Sequence, residues 1–161
     1  MHLVGELFNS MTGAKLRHIA YKGAGPAITE LVGGQVHMSF QAQIAVISLI
    51  NSGKLKAIAI TGETRSSALP QVPTFTEAGV PNFRLINWFG ILTPVGTPKE
   101  IISKLSNEIA RILGLPETKD YLAKQGMEPF ISTPPQVTAL IKADLVKYAE
   151  IIKVANIKLE Q

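Results

Sequence analysis

Residues 19–26 read Ile-Ala-Tyr-Lys-Gly-Ala-Gly-Pro, and this octet constrains the fold more than any other stretch. A strand-like run over 16–21 ends at Tyr21 and Lys22. Gly23 and Gly25 then loosen the backbone, and Pro26 opens a helical pattern through Ile28 and Leu31. Proline suits a first helical turn, where its missing N–H costs nothing. A glycine-rich corner of this kind leaves amide N–H groups unpaired and pointing outward. Such a helix start is a ready seat for an anion, for example a carboxylate.

The rest of the chain repeats the theme. Apolar periodicity predicts helices over 2–12, 26–32, 42–51, 98–113, 116–125 and 134–155, with a helical turn at 74–78. Strands are predicted over 16–21, 36–40, 55–61, 84–92 and 128–131. Thr97 is the expected N-cap of the fourth helix, with Pro98 as its first residue and Glu100 three after the cap. Ser132 or Thr133 caps the last one. Strands alternating with helices imply an α/β class with a mainly parallel sheet. After residues 94–98 the pattern shifts to amphipathic helices, which makes them the expected internal boundary.

Several function classes drop out. The 16 basic residues are scattered without a run, so a nucleic-acid stripe is not expected, and the net charge of +4 suits acidic small molecules or plain solubility. With no cysteine there is no thiolate nucleophile, disulfide or cysteine zinc site. No apolar run reaches the length of a membrane span, and the first residues do not read as a signal peptide. His2, His18 and His37 lack metalloprotease spacing, though His18 and His37 fall on neighbouring predicted strands. No G-x-S-x-G elbow or P-loop occurs, and Glu6, Glu30, Glu63 and Glu77 form no acid–base pair. A binding role without catalysis is the expectation.

The candidate binding groups sit at two corners. Gly23, Ala24 and Gly25 offer backbone donors, and Tyr21 shapes the pocket or hydrogen-bonds the ligand. Gln41 and Ala42 form a second wall, with Gln43 beside them. Both corners fall at carboxyl ends of predicted strands, where open α/β sheets hold ligands. Trp88, the sole tryptophan, lines a pocket or fills a core.

Tyr21-Lys22-Gly23 with Pro26, then Gly33-Gly34-Gln35-Val36 and Phe40, and Ser52-Gly53-Lys54-Leu55-Lys56-Ala57 form a linked pattern. It continues through Arg65-Ser66, Leu69-Pro70, Val72-Pro73-Thr74, Glu77-Ala78-Gly79, Trp88-Phe89-Gly90 and Pro94-Val95-Gly96-Thr97-Pro98. In this order the chain resembles the Bug family, the TctC-like solute-binding receptors of tripartite tricarboxylate transporters. The resemblance implies a periplasmic receptor of the type II binding-protein kind, holding a small carboxylate between two lobes through backbone amides, helix starts and waters. It implies no cofactor, and docking on a membrane permease of two subunits.

Family members are about twice as long, and the segment from His2 to Phe8 resembles an internal one. Residues 1–93 therefore correspond to the second lobe, and residues 94–161 to a C-terminal helical return normally packed on a first lobe that is missing. On the final helix Val137, Leu140, Ile141, Leu145, Tyr148, Ile151 and Ile152 share one side, so a homodimer through this exposed arm is expected. The alternatives are a ligand-sensing domain of a regulator, or a fragment without activity of its own.

Overall fold

The computed structural model describes residues 1–154. Six helices are present among them: α1 (His2–Thr12), α2 (Ala24–Val32), α3 (Gln43–Asn51), α4 (Lys99–Gly114), α5 (Pro116–Lys124) and α6 (Pro134–Val154). Each coincides with a predicted helix to within about two residues, and the end of the last prediction, residue 155, lies outside the described residues. Glycines stop α1 and α2 for a stated reason. Gly13 at φ 71° donates to Asn9 O, and Gly34 at φ 73° lets Gln35 N reach back to Glu30 O.

Helix α4 begins one residue later than its sequence suggests. Pro98 is the N-cap, and the Thr97 hydroxyl turns back to donate to Pro94 O at 2.8 Å instead of capping. The last helix keeps the expected logic in reverse: the Gln136 side chain accepts from Thr133 N at 2.8 Å and from Thr133 Oγ1 at 2.9 Å. The helical turn at 74–78 is a complete capping box. Thr74 N donates to Glu77 Oε2 at 2.8 Å, and Glu77 N donates to Thr74 Oγ1 at 3.1 Å.

The parallel sheet expected from the sequence is not formed among the described residues. One isolated parallel bridge, Ile60 to Thr74, is present, made by Ile60 N to Pro73 O and Phe75 N to Ile60 O, both 3.0 Å. Apart from Ile60, the segments predicted as strands join no ladder among the described residues. A strand is stable only in a ladder, and sequence alternation reports a pleated face, not the partner beside it. Asn9 supplies a side-chain substitute for one such partner, exchanging two hydrogen bonds with Leu16 N and O at 3.0 and 3.1 Å.

Two small cores hold the chain. Ile47 of α3 packs with Leu69 and Val72, with Ile50, Ala57, Ile60 and Ala68 around them. Beside it lies a four-ring aromatic cluster. Phe83 is 1% exposed, its ring 4.3 Å from Phe75, 5.9 Å from Phe8 and 6.4 Å from Phe40. Helix α6 packs on α1. The apolar side expected to be wholly uncovered is thus partly covered: Ile151 is buried, while Leu145 and Ile152 stay exposed.

Candidate functional site

The first corner is built by Gly23. Its φ of 108° is open to glycine and strained for other residues, and its N–H donates to Tyr21 O at 2.8 Å. The Gly23 amide, expected from the sequence as an anion contact, is therefore spent inside the turn. The N–H groups of Ala24 and Gly25 start α2 with no side-chain cap and no backbone acceptor among the described residues, and both residues are exposed. They lie at the positive end of the helix dipole. Tyr21 is half-buried at the base of the turn.

The second corner starts α3. Ala42 is the N-cap at φ −65° and ψ 134°, again without a side-chain cap, and its carbonyl accepts from Ala45 N at 2.9 Å. Gln41 and Gln43 do not both face a ligand as free amides. Gln41 Nε2 donates to Ser39 Oγ at 2.8 Å, and Gln43 Nε2 donates to Ser66 Oγ at 2.7 Å. Gln43 also lies against Gly126, where φ is 70° and an added Cβ would land on the amide group. Ser66 and Gly126 were not legible as site neighbours. They lie far from Gln43 in sequence, and the Arg65-Ser66 motif does not by itself point to Gln43. No hydrogen bond or ring contact links the two corners directly among the described residues.

Two clefts lie elsewhere. One, of about 530 Å³, is lined by Glu63, Arg65, Glu77 and Arg84 with Thr74 and Asn82 among its other walls. Its charges are matched: Arg65 Nε meets Glu77 Oε2 at 2.9 Å, and Arg84 pairs with Glu63. The Arg65 hydrogen bond, and then that from Thr74 N, hold the Glu77 carboxyl below its ordinary range. A cleft neutralised in this way does not attract an anion. The other, of about 340 Å³, settles the place of Trp88. The ring is half-buried at its wall with Ile141 and Tyr148, and Nε1 donates to Asp144 Oδ2 at 2.7 Å. Burial, and then the Asp144 charge, push the Tyr148 hydroxyl above its ordinary value. His18 stacks face to face on His2, with ring centroids 3.8 Å apart. No group of three or more metal-ligating side chains occurs among the described residues.

Known proteins share the sequence and the backbone of this chain. The family profile "Tripartite tricarboxylate transporter family receptor" matches residues 1–157. Protein BugT of Bordetella pertussis is 38% identical over 99% of this chain and 49% of its own length. The solved structure of R. palustris Rpa4515 with adipate superposes with a TM-score of 0.92 at 32% identity, covering 96% of this chain and 52% of that one. The periplasmic binding protein BugD superposes with a TM-score of 0.87 at 32% identity, over 99% and 54%. The chain thus spans about half the length of these relatives.

Proposed function

The chain belongs to the tripartite tricarboxylate transporter receptor family, and from that membership we propose that it is the ligand-facing half of a periplasmic receptor for small carboxylates. One observation carries the reading. The Ala24 and Gly25 amides stand open at the start of α2, aimed by a Gly23 turn that no other residue adopts without strain. Gln41 and Ala42 form the opposite wall, and Tyr21 closes the base of the turn. Rpa4515, solved with adipate, supports a flexible dicarboxylate as the first ligand to try.

On this reading residues 1–93 are an α/β lobe of the type II binding-protein kind and residues 94–161 a helical return. The loaded receptor delivers its ligand to membrane permease subunits without transforming it. Half a cleft cannot enclose its ligand, so affinity for this chain alone is expected in the millimolar range, about 4 kcal/mol.

The test is an amide chemical-shift titration with adipate. Shifts concentrated at Ala24, Gly25 and residues 41–43, and lost in an Ala24→Pro variant, support the reading. Saturating shifts at the charged cleft instead, or none anywhere by about 10 mM, refute it.

A further inference from the structure

Ser66 stands half-buried beside the second corner, 23 residues from Gln43 in the chain. Its Oγ accepts from Gln43 Nε2 at 2.7 Å and from Ala68 N at 3.2 Å. A hydroxyl has two acceptor sites and one proton to donate. Both acceptor sites are taken here, so the proton points away from Gln43 and Ala68. No acceptor for it occurs among the described residues. Ser66 is thus left with a single function toward any further group, that of a donor.

The surroundings hold this donor in place. Leu69 N donates to Ser66 O at 3.1 Å, and Leu69, 2% exposed, packs against Ile47 of α3. Gly126 lies so close to the other side of the Gln43 carboxamide that an added Cβ would land on it. Donors fixed in advance lose less freedom when a ligand arrives. The neighbouring Arg65 brings a full charge, but it is spent elsewhere. Its Nε meets Glu77 Oε1 and Oε2 at 3.1 and 2.9 Å, and its Nη1 donates to Pro70 O at 3.1 Å. Beside the hydroxyl, the amides of Gln43 and Ile44 open α3 with no acceptor among the described residues. An ionised carboxylate only accepts hydrogen bonds, and it matches a group of donors of this kind.

Building on the carboxylate reading above, we infer that Ser66 is a specificity-determining ligand contact. Its hydroxyl donates to a carboxylate seated at the second corner, while the Ala24 and Gly25 amides hold the other end of the same molecule. The corner then selects diacids over monoacids of equal chain length. Against a methyl end, the hydroxyl loses water and gains no partner.

The test compares adipate with hexanoate, the monoacid of the same chain length, by amide chemical-shift titration of the 161-residue chain. Adipate should bind about tenfold more tightly, the scale of one hydrogen bond to a charged group. This comparison needs no variant. Ser66→Ala should abolish the adipate advantage and leave the hexanoate affinity unchanged. Ser66→Thr keeps the hydroxyl and should keep most of the advantage. Equal affinities for the two acids in the unaltered chain overturn the inference. So does an adipate advantage that survives Ser66→Ala, or an equal loss for both acids in that variant, which marks a purely structural role. In each of these three cases the seat at Ala24 and Gly25 still stands. Absence of shifts with either acid at residues 23–25 and 41–43 refutes the carboxylate reading itself, and the role of Ser66 falls with it.

Discussion

Replacing Phe83 by alanine should remove the part of the core that ties the second corner to the rest of the chain. Phe83 is 1% exposed and touches the rings of Phe8, Phe40 and Phe75 at centroid distances of 4.3 to 6.4 Å. A buried Phe→Ala change costs about 3–5 kcal/mol in transfer and cavity terms. The close pair with Phe75 adds to this within the range of about 0.5–1.5 kcal/mol for aromatic contacts. The expected loss is about 4 kcal/mol, comparable to the whole stability of a marginal domain. In urea denaturation followed by helical circular dichroism, this lowers the midpoint by about 2 M at a typical slope. Phe83→Leu should cost only about 1 kcal/mol, because most of the volume stays. Phe40 immediately precedes Gln41 and Ala42, so Phe83→Ala should also broaden the amide signals of 41–43 while sparing 23–25. A loss under about 1 kcal/mol at unchanged slope, or perturbation confined to 23–25, would refute the assignment of the aromatic cluster as the anchor of this wall.

Gly126→Ala forces a Cβ onto the Gln43 amide at a positive φ. It should cost about 1–2 kcal/mol, and a Gln43→Ala background should recover the steric part, read as a double-mutant cycle in urea. Glu77 is held below its ordinary pKa of 4.5 chiefly by Arg65. Its contribution is therefore present above that value and lost as pH falls through the lower folded one, and the acid limb of the stability profile should flatten in Glu77→Gln. Tyr148 lies above its ordinary 10.0 through burial and the Asp144 charge. Its contribution holds below pH 10 and is lost as pH rises through the higher folded value. Asp144→Asn should move the Tyr148 phenolate titration down. The same variant should change the emission of Trp88, the sole tryptophan and the Asp144 partner; identical titration and emission in the variant would rule out this coupling.

All six helices were legible because their signals are local. The apolar face of α1 and the glycines after α1 and α2 act within a turn or two, as do the proline at the start of α5 and the Thr74–Glu77 box. The α4 start was misjudged by one residue because the Thr97 hydroxyl had a nearer acceptor in Pro94. At the candidate site, the open turn at Gly23 was legible from its glycines. That its own amide is consumed by Tyr21 was not, since either orientation of the peptide fits the same letters. Gln43 reads as a free polar group until Ser66 and Gly126 are placed beside it.

The sequence by itself determined the helices, the two glycine and glutamine corners, and the membership that its linked motifs express. Periodicity and turn chemistry are short-range, so they survive without the rest of the molecule. Only the tertiary structure decided which rings meet around Phe83, where Trp88 is bound, and which extended segments find no ladder. Those outcomes depend on contacts between residues distant in the chain, and a strand's partner is specified by the surface that covers it.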